Sequence, residues 1–198
     1  MNEKHLIQLR EFVNLLVQPN EKEWQAFTDC LFYREVKKKE YFLRVGEICN
    51  LVGFVVEGAI RNYVLRDGVE VIRYFILDNN YACEYKSFLT RLPSAENLEA
   101  LEDSLMLCFS HDDLQQLYQR YQLWERYGRL VSEELFIKLS LRINDLLIKT
   151  PEERYLALLE EDPRIAQRIP QYMIASFLGV TPETLSRVRR RIAEGVFS

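Results

Sequence analysis

QYMIASFLGVTPETLSRVRRRIAE, residues 171–194, is the stretch on which the reading of the whole chain turns. Ile174, Phe177 and Leu178 share one face of a short helix over 171–178, and Ala175 keeps that face low enough for a second helix to cross closely. Gly179 stands where the chain must turn through positive φ, a conformation that a β-carbon resists. Thr181 is placed to cap a second helix that Pro182 opens, while Val180 packs the turn. Leu185, Val188 and Ile192 give that helix its apolar stripe. Two short helices joined through a glycine turn predict a helix-turn-helix.

The opposite face of the second helix carries Glu183, Ser186, Arg187 and Arg190, with Arg189 and Arg191 on its flanks. Arginine can donate two hydrogen bonds to guanine O6 and N7, and a carboxylate can accept from cytosine N4. The pattern therefore predicts base-edge contacts from Glu183, Arg187 and Arg190 on double-stranded DNA. Phosphate contacts, which set register without reading sequence, are expected from Thr181, Ser186, Arg189 and Arg191. The formal charge of the chain is −4, yet from Lys138 onward ten basic side chains face eight acidic ones. A local basic patch on an acidic body suits a polyanion bound through one surface.

Working back from this motif, Thr150-Pro151-Glu152-Glu153 holds a cap, a first-turn proline and an acidic third position, so a helix and a domain start there. Asp162-Pro163 and Ile169-Pro170 divide the remainder of the chain into short helices. Further upstream, Ser110 and Asp113 predict the start of a long helix running to about Leu147. Along it Leu114, Leu117, Tyr121, Trp124, Gly128, Val131 and Leu135 step alternately by 3 and 4, a heptad seam that reads as the contact between two copies of the chain.

Residues 33–109 change to strand texture. VGFVVEGAIRNYVLRDGVEVIRYFIL, residues 52–77, is rich in β-branched and aromatic residues, and Asp67-Gly68 marks a tight hairpin. Two helices precede it, the first stopped by Pro19-Asn20 and the second around Glu21 to Cys30. The expected class is α+β. Residues 1–109 make an antiparallel β-roll of jelly-roll type with flanking helices, 110–149 a long dimerisation helix, and 150–198 a helix-turn-helix domain.

Composition removes several alternatives. No apolar run approaches the roughly 20 residues of a membrane span. The amino terminus, MNEKHLIQLREF, is charged and unlike a secretion signal, so a cytoplasmic location is expected. Cys30, Cys49, Cys83 and Cys108 lack metal-binding spacings, and His5 and His111 have no neighbouring ligands in sequence. No glycine-rich phosphate loop, nucleophile elbow or acid–base set is visible, and the run Glu160-Glu161-Asp162 reads as solvated surface. Neither an enzyme nor a metal site is expected.

ERYLALLEEDPRIAQRIPQYMIASFLGVTPETLSRVRRRI, residues 153–192, resembles the DNA-binding segment of the Crp/Fnr (cyclic-AMP-receptor/fumarate-nitrate-regulator) superfamily of transcription factors, especially its Bacteroidetes-type members. VGFVVEGAIRNYVLRDG, residues 52–68, is similar to the β-roll of the same superfamily. The resemblance implies a homodimeric regulator that binds a palindromic DNA site, with RNA polymerase as a further partner. It places Glu183 and Arg187 where members read bases, and Pro182 where some carry another arginine contact. It also implies a two-stranded wing after the recognition helix, which Gly195-Val-Phe-Ser198 is too short to form.

The resemblance further implies a cyclic-nucleotide-binding-like sensor. In members that bind the nucleotide, a Gly-Glu pair opens a short helix and an Arg-Ser/Thr pair comes after it. Here Glu84 matches the glutamate, Cys83 replaces the glycine, Pro93-Ser94-Ala95 stands at the second pair, and Arg91 comes a few positions early. Cyclic AMP is disfavoured, because its phosphate would be buried without a registered cation. Another small-molecule effector, held by Glu84, Tyr85, Arg91 and Ser94, stays open beside no ligand at all. No cofactor is expected, haem and iron–sulfur clusters included. The alternative function is a ligand-sensing or scaffold protein that acts through a protein partner.

Overall fold

The computed structural model describes residues 1–194; Gly195-Val-Phe-Ser198, on which the expectation about a wing rests, lies outside the described residues. Two helices open the chain, α1 (Glu3–Asn14) and α2 (Glu21–Thr28), the second started by a capping box between Asn20 and Glu23. Strands β1 (Phe32–Val36), β2 (Tyr41–Leu43), β3 (Leu51–Glu57), β4 (Ala59–Arg66), β5 (Val69–Leu77) and β6 (Tyr81–Ala82) come next. Helix α3 (Tyr85–Thr90) interrupts them before β7 (Asn97–Ala100) and β8 (Ser104–Ser110). The rest is helical: α4 (His111–Arg120), α5 (Gln122–Ile148), α6 (Pro151–Glu161), α7 (Ile165–Arg168), α8 (Gln171–Leu178) and α9 (Pro182–Ala193).

The strands form two four-stranded sheets, ordered β1-β8-β3-β6 and β2-β7-β4-β5. The expected antiparallel roll with flanking helices is therefore the observed fold, and Asp67 and Gly68 turn its hairpin with φ of 53° and 78°. Phe54, Ile60, Leu98, Met106 and Leu107 are fully buried within it. Burial of such side chains supplies about 1.5–3 kcal/mol each. Among the described residues no helix is long and apolar enough to cross a membrane.

The chain divides into two compact units, Met1–Tyr63 with Phe75–Glu134, and Val64–Tyr74 with the chain from Leu135 onward. The expected boundaries, 109/110 and 149/150, fall at helix starts; the units instead part inside α5. The reason lies in the core of the first unit. Trp124 stacks on Phe27 at a centroid distance of 4.6 Å and donates its indole N–H to the Glu23 carbonyl at 3.2 Å. Tyr127 is buried with it, and its hydroxyl shares a hydrogen bond with that of Tyr81 at 3.0 Å.

This core takes up part of the seam expected from Leu114 to Leu135 as a contact between two copies. The helix is not continuous: Tyr121, at φ −139° and ψ 108°, ends α4 before α5 begins. Leu117 and Trp124 face the chain's own core. A β-carbon at Gly128 would lie 2.0 Å from the Tyr118 hydroxyl, so that position is filled from within. Leu114, Tyr121, Val131 and Leu135 are half-buried. The large apolar side chains left exposed on α5 lie further on, at Phe136, Ile137, Leu139, Leu141, Ile143, Leu146, Leu147 and Ile148.

The β3–β4 corner imposes the tightest local constraint in the roll. Gly58 has φ of 131°, and a β-carbon there would sit 2.7 Å from the Ser104 Cα. Its N–H donates to Asp78 Oδ1 at 2.7 Å. Backbone strain and a backbone clash would act together, so Gly58→Ala is expected to lower stability by at least about 2 kcal/mol. Urea denaturation of the two proteins checks this, and a loss within a few tenths would contradict the described corner.

Candidate functional site

Helix α8 ends at Gly179, which is left-handed at φ 68° and ψ 34°. The Val180 N–H returns to the Ala175 carbonyl at 3.0 Å, closing the turn. Thr181 caps α9 by accepting from the Thr184 N–H at 3.2 Å, and Pro182 takes the first turn. Ile174, Ala175, Leu178, Leu185 and Val188 are buried where the two helices meet α6. Phe177, expected in that core, and Ile192 and Val180 are only half-buried.

The outward face of α9 is as expected in position. Thr181, Glu183, Ser186, Arg187, Arg189 and Arg190 are all exposed. Its own backbone N–H, the Thr181 hydroxyl and the Arg187 guanidinium hold the Glu183 carboxyl below its usual range, so it is ionised and accepts only. Arg187 donates to Thr184 Oγ1 at 3.1 Å, which leans its guanidinium toward the start of the helix. Arg191 departs from expectation. It pairs with Glu152 of α6 at 2.9 Å, because the acidic first turn of α6 lies against this flank of α9.

Two residues that position this face were not singled out in the sequence. The Arg142 guanidinium sits 3.6 Å from the centroid of the Phe177 ring and donates to the Phe177 carbonyl, tying α5 to the end of α8. Burial and the neighbouring Arg154 pull its pKa down from the usual arginine value, and the carboxylates of Asp145 and Glu161 oppose them. Ser176 accepts from the Ile72 N–H at 3.1 Å and donates to the Glu70 carbonyl at 3.2 Å, so α8 grips the tip of the β4–β5 hairpin. An arginine among apolar helix positions was the only signal of the first; a serine inside a helix gives none.

The four residues expected around an effector lie near one another, but the protein itself satisfies them. Glu84 is buried and accepts from the N–H groups of Lys86 and Ser87 at 3.1 and 2.9 Å. Those amides at the start of α3 are the ones an anion would need. Arg91 donates to the carbonyls of Cys49 and Phe88, at 2.9 and 3.2 Å, and to Asn50 Oδ1. Ser94 closes a tight turn onto Glu96, and the Tyr85 hydroxyl bonds Ser132 Oγ. Each of these four residues, named above as the place for a possible effector, thus has hydrogen-bond partners within the chain itself.

Buried polar groups the sequence did not reveal stand on the other sheet. Arg61 and Glu99 face each other across β4 and β7 and pair at 2.7 Å with both side chains about one-tenth exposed. Asn62 is fully buried, donates to Glu96 Oε2 at 2.7 Å, and has no hydrogen-bond partner at Oδ1.

Residues 33–121 match the family model of the cyclic nucleotide-binding domain. Among solved structures, FixK2 from Bradyrhizobium japonicum is similar, with 23% identity over 85% of this chain and 87% of its own, at a TM-score of 0.72. A protein from Eubacterium rectale, described as a transcriptional regulator of the Crp/Fnr family, matches with 20% identity over 91% and 87% of the two chains, at 0.67. The c-di-GMP-responsive global regulator CLP of Xanthomonas campestris matches with 16% identity over 90% and 95%, at 0.66. These likenesses establish a shared fold. No curated protein matches the sequence.

Because Glu84 already occupies the α3 amides, cyclic AMP in large excess is expected to leave the melting temperature unchanged. A ligand at a hundred times its Kd would add about 2.7 kcal/mol, which a thermal scan reads easily. Glu84→Ala, in contrast, should cost about 1–2 kcal/mol by uncapping α3. A clear upward shift with cyclic AMP in the unsubstituted protein would overturn this account.

Proposed function

We propose that this chain is a sequence-specific DNA-binding transcription regulator of the Crp/Fnr type that acts as a homodimer. One observation carries the reading: α8 and α9 form a helix-turn-helix whose exposed face presents Glu183, Arg187 and Arg190. Likeness in fold to regulators over most of both chains supports it. In this reading residues 1–109 are the sensor, 110–149 link it to the partner copy, and 150–198 bind DNA. RNA polymerase is the protein partner such a regulator addresses, and the cytoplasm is where it would act. No cofactor is assigned, and cyclic AMP is not the effector that suits the sensor.

The partner copy is best accommodated by the second half of α5. Phe136, Leu139, Ile143 and Leu146 step by 3, 4 and 3, and all four are exposed. Phe136 is 71% exposed and Ile143 60%, a patch that a second α5 related by a two-fold axis would cover. Two α9 helices could then enter successive major grooves about 34 Å apart. Arg187 and Arg190, with Glu183, would read base edges, while Arg189, Ser186 and Thr181 grip phosphates. The Arg191–Glu152 pair, with Arg191 exposed and Glu152 half-buried, is worth about 1 kcal/mol or less, so a phosphate can take over Arg191 on binding.

Selection from a pool of random duplexes, followed by titration at two salt concentrations, tests the reading. Arg187→Ala should cost about 1–3 kcal/mol on the selected duplex and little on a scrambled one. Arg189→Ala should weaken both alike and flatten the salt dependence. Binding of no duplex even at low salt would sink the proposal in favour of a protein partner. Ile143→Glu is expected to shift the protein from dimer to monomer in sedimentation velocity, and a monomeric unsubstituted protein would remove the α5 pairing.

A further inference from the structure

Two thiols far apart in sequence meet beside α3. Cys49 precedes β3, Cys83 lies between β6 and α3, and their sulfur atoms are 3.8 Å apart. The two differ in character. The hydrogen bond from Cys83 lowers the Cys49 thiol against the opposing pull of burial, and the Glu84 backbone lowers it further. Cys83 is held protonated by that same bond and by burial. Cys49 is itself buried, at 1% exposure, and borders a surface groove of about 540 Å³ shared with Arg34, Phe42, Ile48 and Asn50. The other two cysteines have neither a thiol neighbour nor this contrast. Burial pushes Cys108 up to about 12, and Cys30 donates to the Ala26 carbonyl at 3.3 Å, as Cys49 does to the Leu51 carbonyl at 3.4 Å.

We propose that Cys49 and Cys83 form a dithiol site that a hydroperoxide-class oxidant converts to an intrachain disulfide. The Cys49 thiolate attacks the peroxide; an S–O bond forms, the O–O bond breaks, and the departing hydroxide takes a proton to become water. The Cys83 sulfur then attacks the Cys49 sulfenic acid. An S–S bond forms, the S–O bond breaks, and the hydroxide leaves as water with the Cys83 proton. Two thiols lose two electrons and two protons, and hydrogen peroxide becomes two waters.

A bonded pair of sulfur atoms is about 2.05 Å apart, so closure requires the two side chains to turn toward each other, their backbones to approach, or both. That movement falls on the sensor segment. The Cys49 N–H donates to Ser87 Oγ at 2.9 Å, its carbonyl accepts from Arg91, and Cys83 is followed directly by the α3 cap, Glu84. Oxidation thus acts on the same three side chains that hold α3 in place.

The test uses the full chain, titrated with hydrogen peroxide, alkylated with iodoacetamide and mapped as peptides without reduction. The expected result is loss of two of the four alkylatable thiols, one cross-linked peptide joining Cys49 to Cys83, and recovery of both thiols with dithiothreitol. Cys83→Ser should abolish the cross-link and leave Cys49 trapped by dimedone as a sulfenic acid, whereas Cys30→Ser should keep the cross-link. Alkylation of both Cys49 and Cys83 after peroxide, or cross-links among other cysteines, overturns the proposal. The map of the unsubstituted protein needs no variant to fold and no DNA, so its outcome stands apart from that of the DNA-binding reading.

Discussion

The direction in which α9 leaves α8 hangs on the backbone of a single residue. Gly179 is left-handed, and the nearest atom to a β-carbon placed on it would be a Leu146 methyl at 3.8 Å. Space is therefore not what demands glycine there; the conformation is, at about 1–2 kcal/mol for a residue with a side chain. Once the turn is made, the Val180 and Thr184 N–H groups find the Ala175 carbonyl and the Thr181 hydroxyl in place. The arginine face inherits its orientation from these bonds. Arg142, stacked on Phe177, braces the same corner from α5.

Much of this was legible because the deciding signals are local. Gly179, Thr181-Pro182, Thr150-Pro151, Ser110 with Asp113 and Asp67-Gly68 each specify a cap or turn within four residues, and the structure uses all of them. The heptad misleads because a 3-4 spacing describes any buried helix stripe, whether the neighbour is another copy or the chain's own core. What decides between them is Trp124 meeting Phe27 and Glu23, about a hundred residues away in sequence. Glu84 and Arg91 are recognisable as residue types, yet most of their partners are backbone atoms, which carry no signature in sequence. Arg191 departs for a similar reason: nothing near it announces Glu152.

The sheets of the roll are held in register by polar as well as apolar contacts. Arg61 and Glu99 stand directly opposite in the β4–β7 ladder, with Arg61 lying 4.3 Å over the Tyr63 ring and Tyr63 sharing a hydrogen bond with Tyr41 at 3.2 Å. A slip of one residue would send Glu99 to the opposite face and strand a buried guanidinium. Losing one member of such a pair is worth about 3–5 kcal/mol, far more than the pair adds over an apolar substitute. The arrangement thus enforces one alignment rather than simply adding stability.

The hairpin tip, Val64–Tyr74, belongs with the carboxyl-terminal helices although its strands run into a sheet of the roll. The backbone consequently passes between the two units three times, after Tyr63, Tyr74 and Glu134. Neither unit is a contiguous cassette, so recombination at one junction cannot exchange it whole. A chimera spliced within α5 would bring a foreign α8 against this chain's own hairpin, and the amide of Ile72 would then depend on whatever residue the donor carries at position 176.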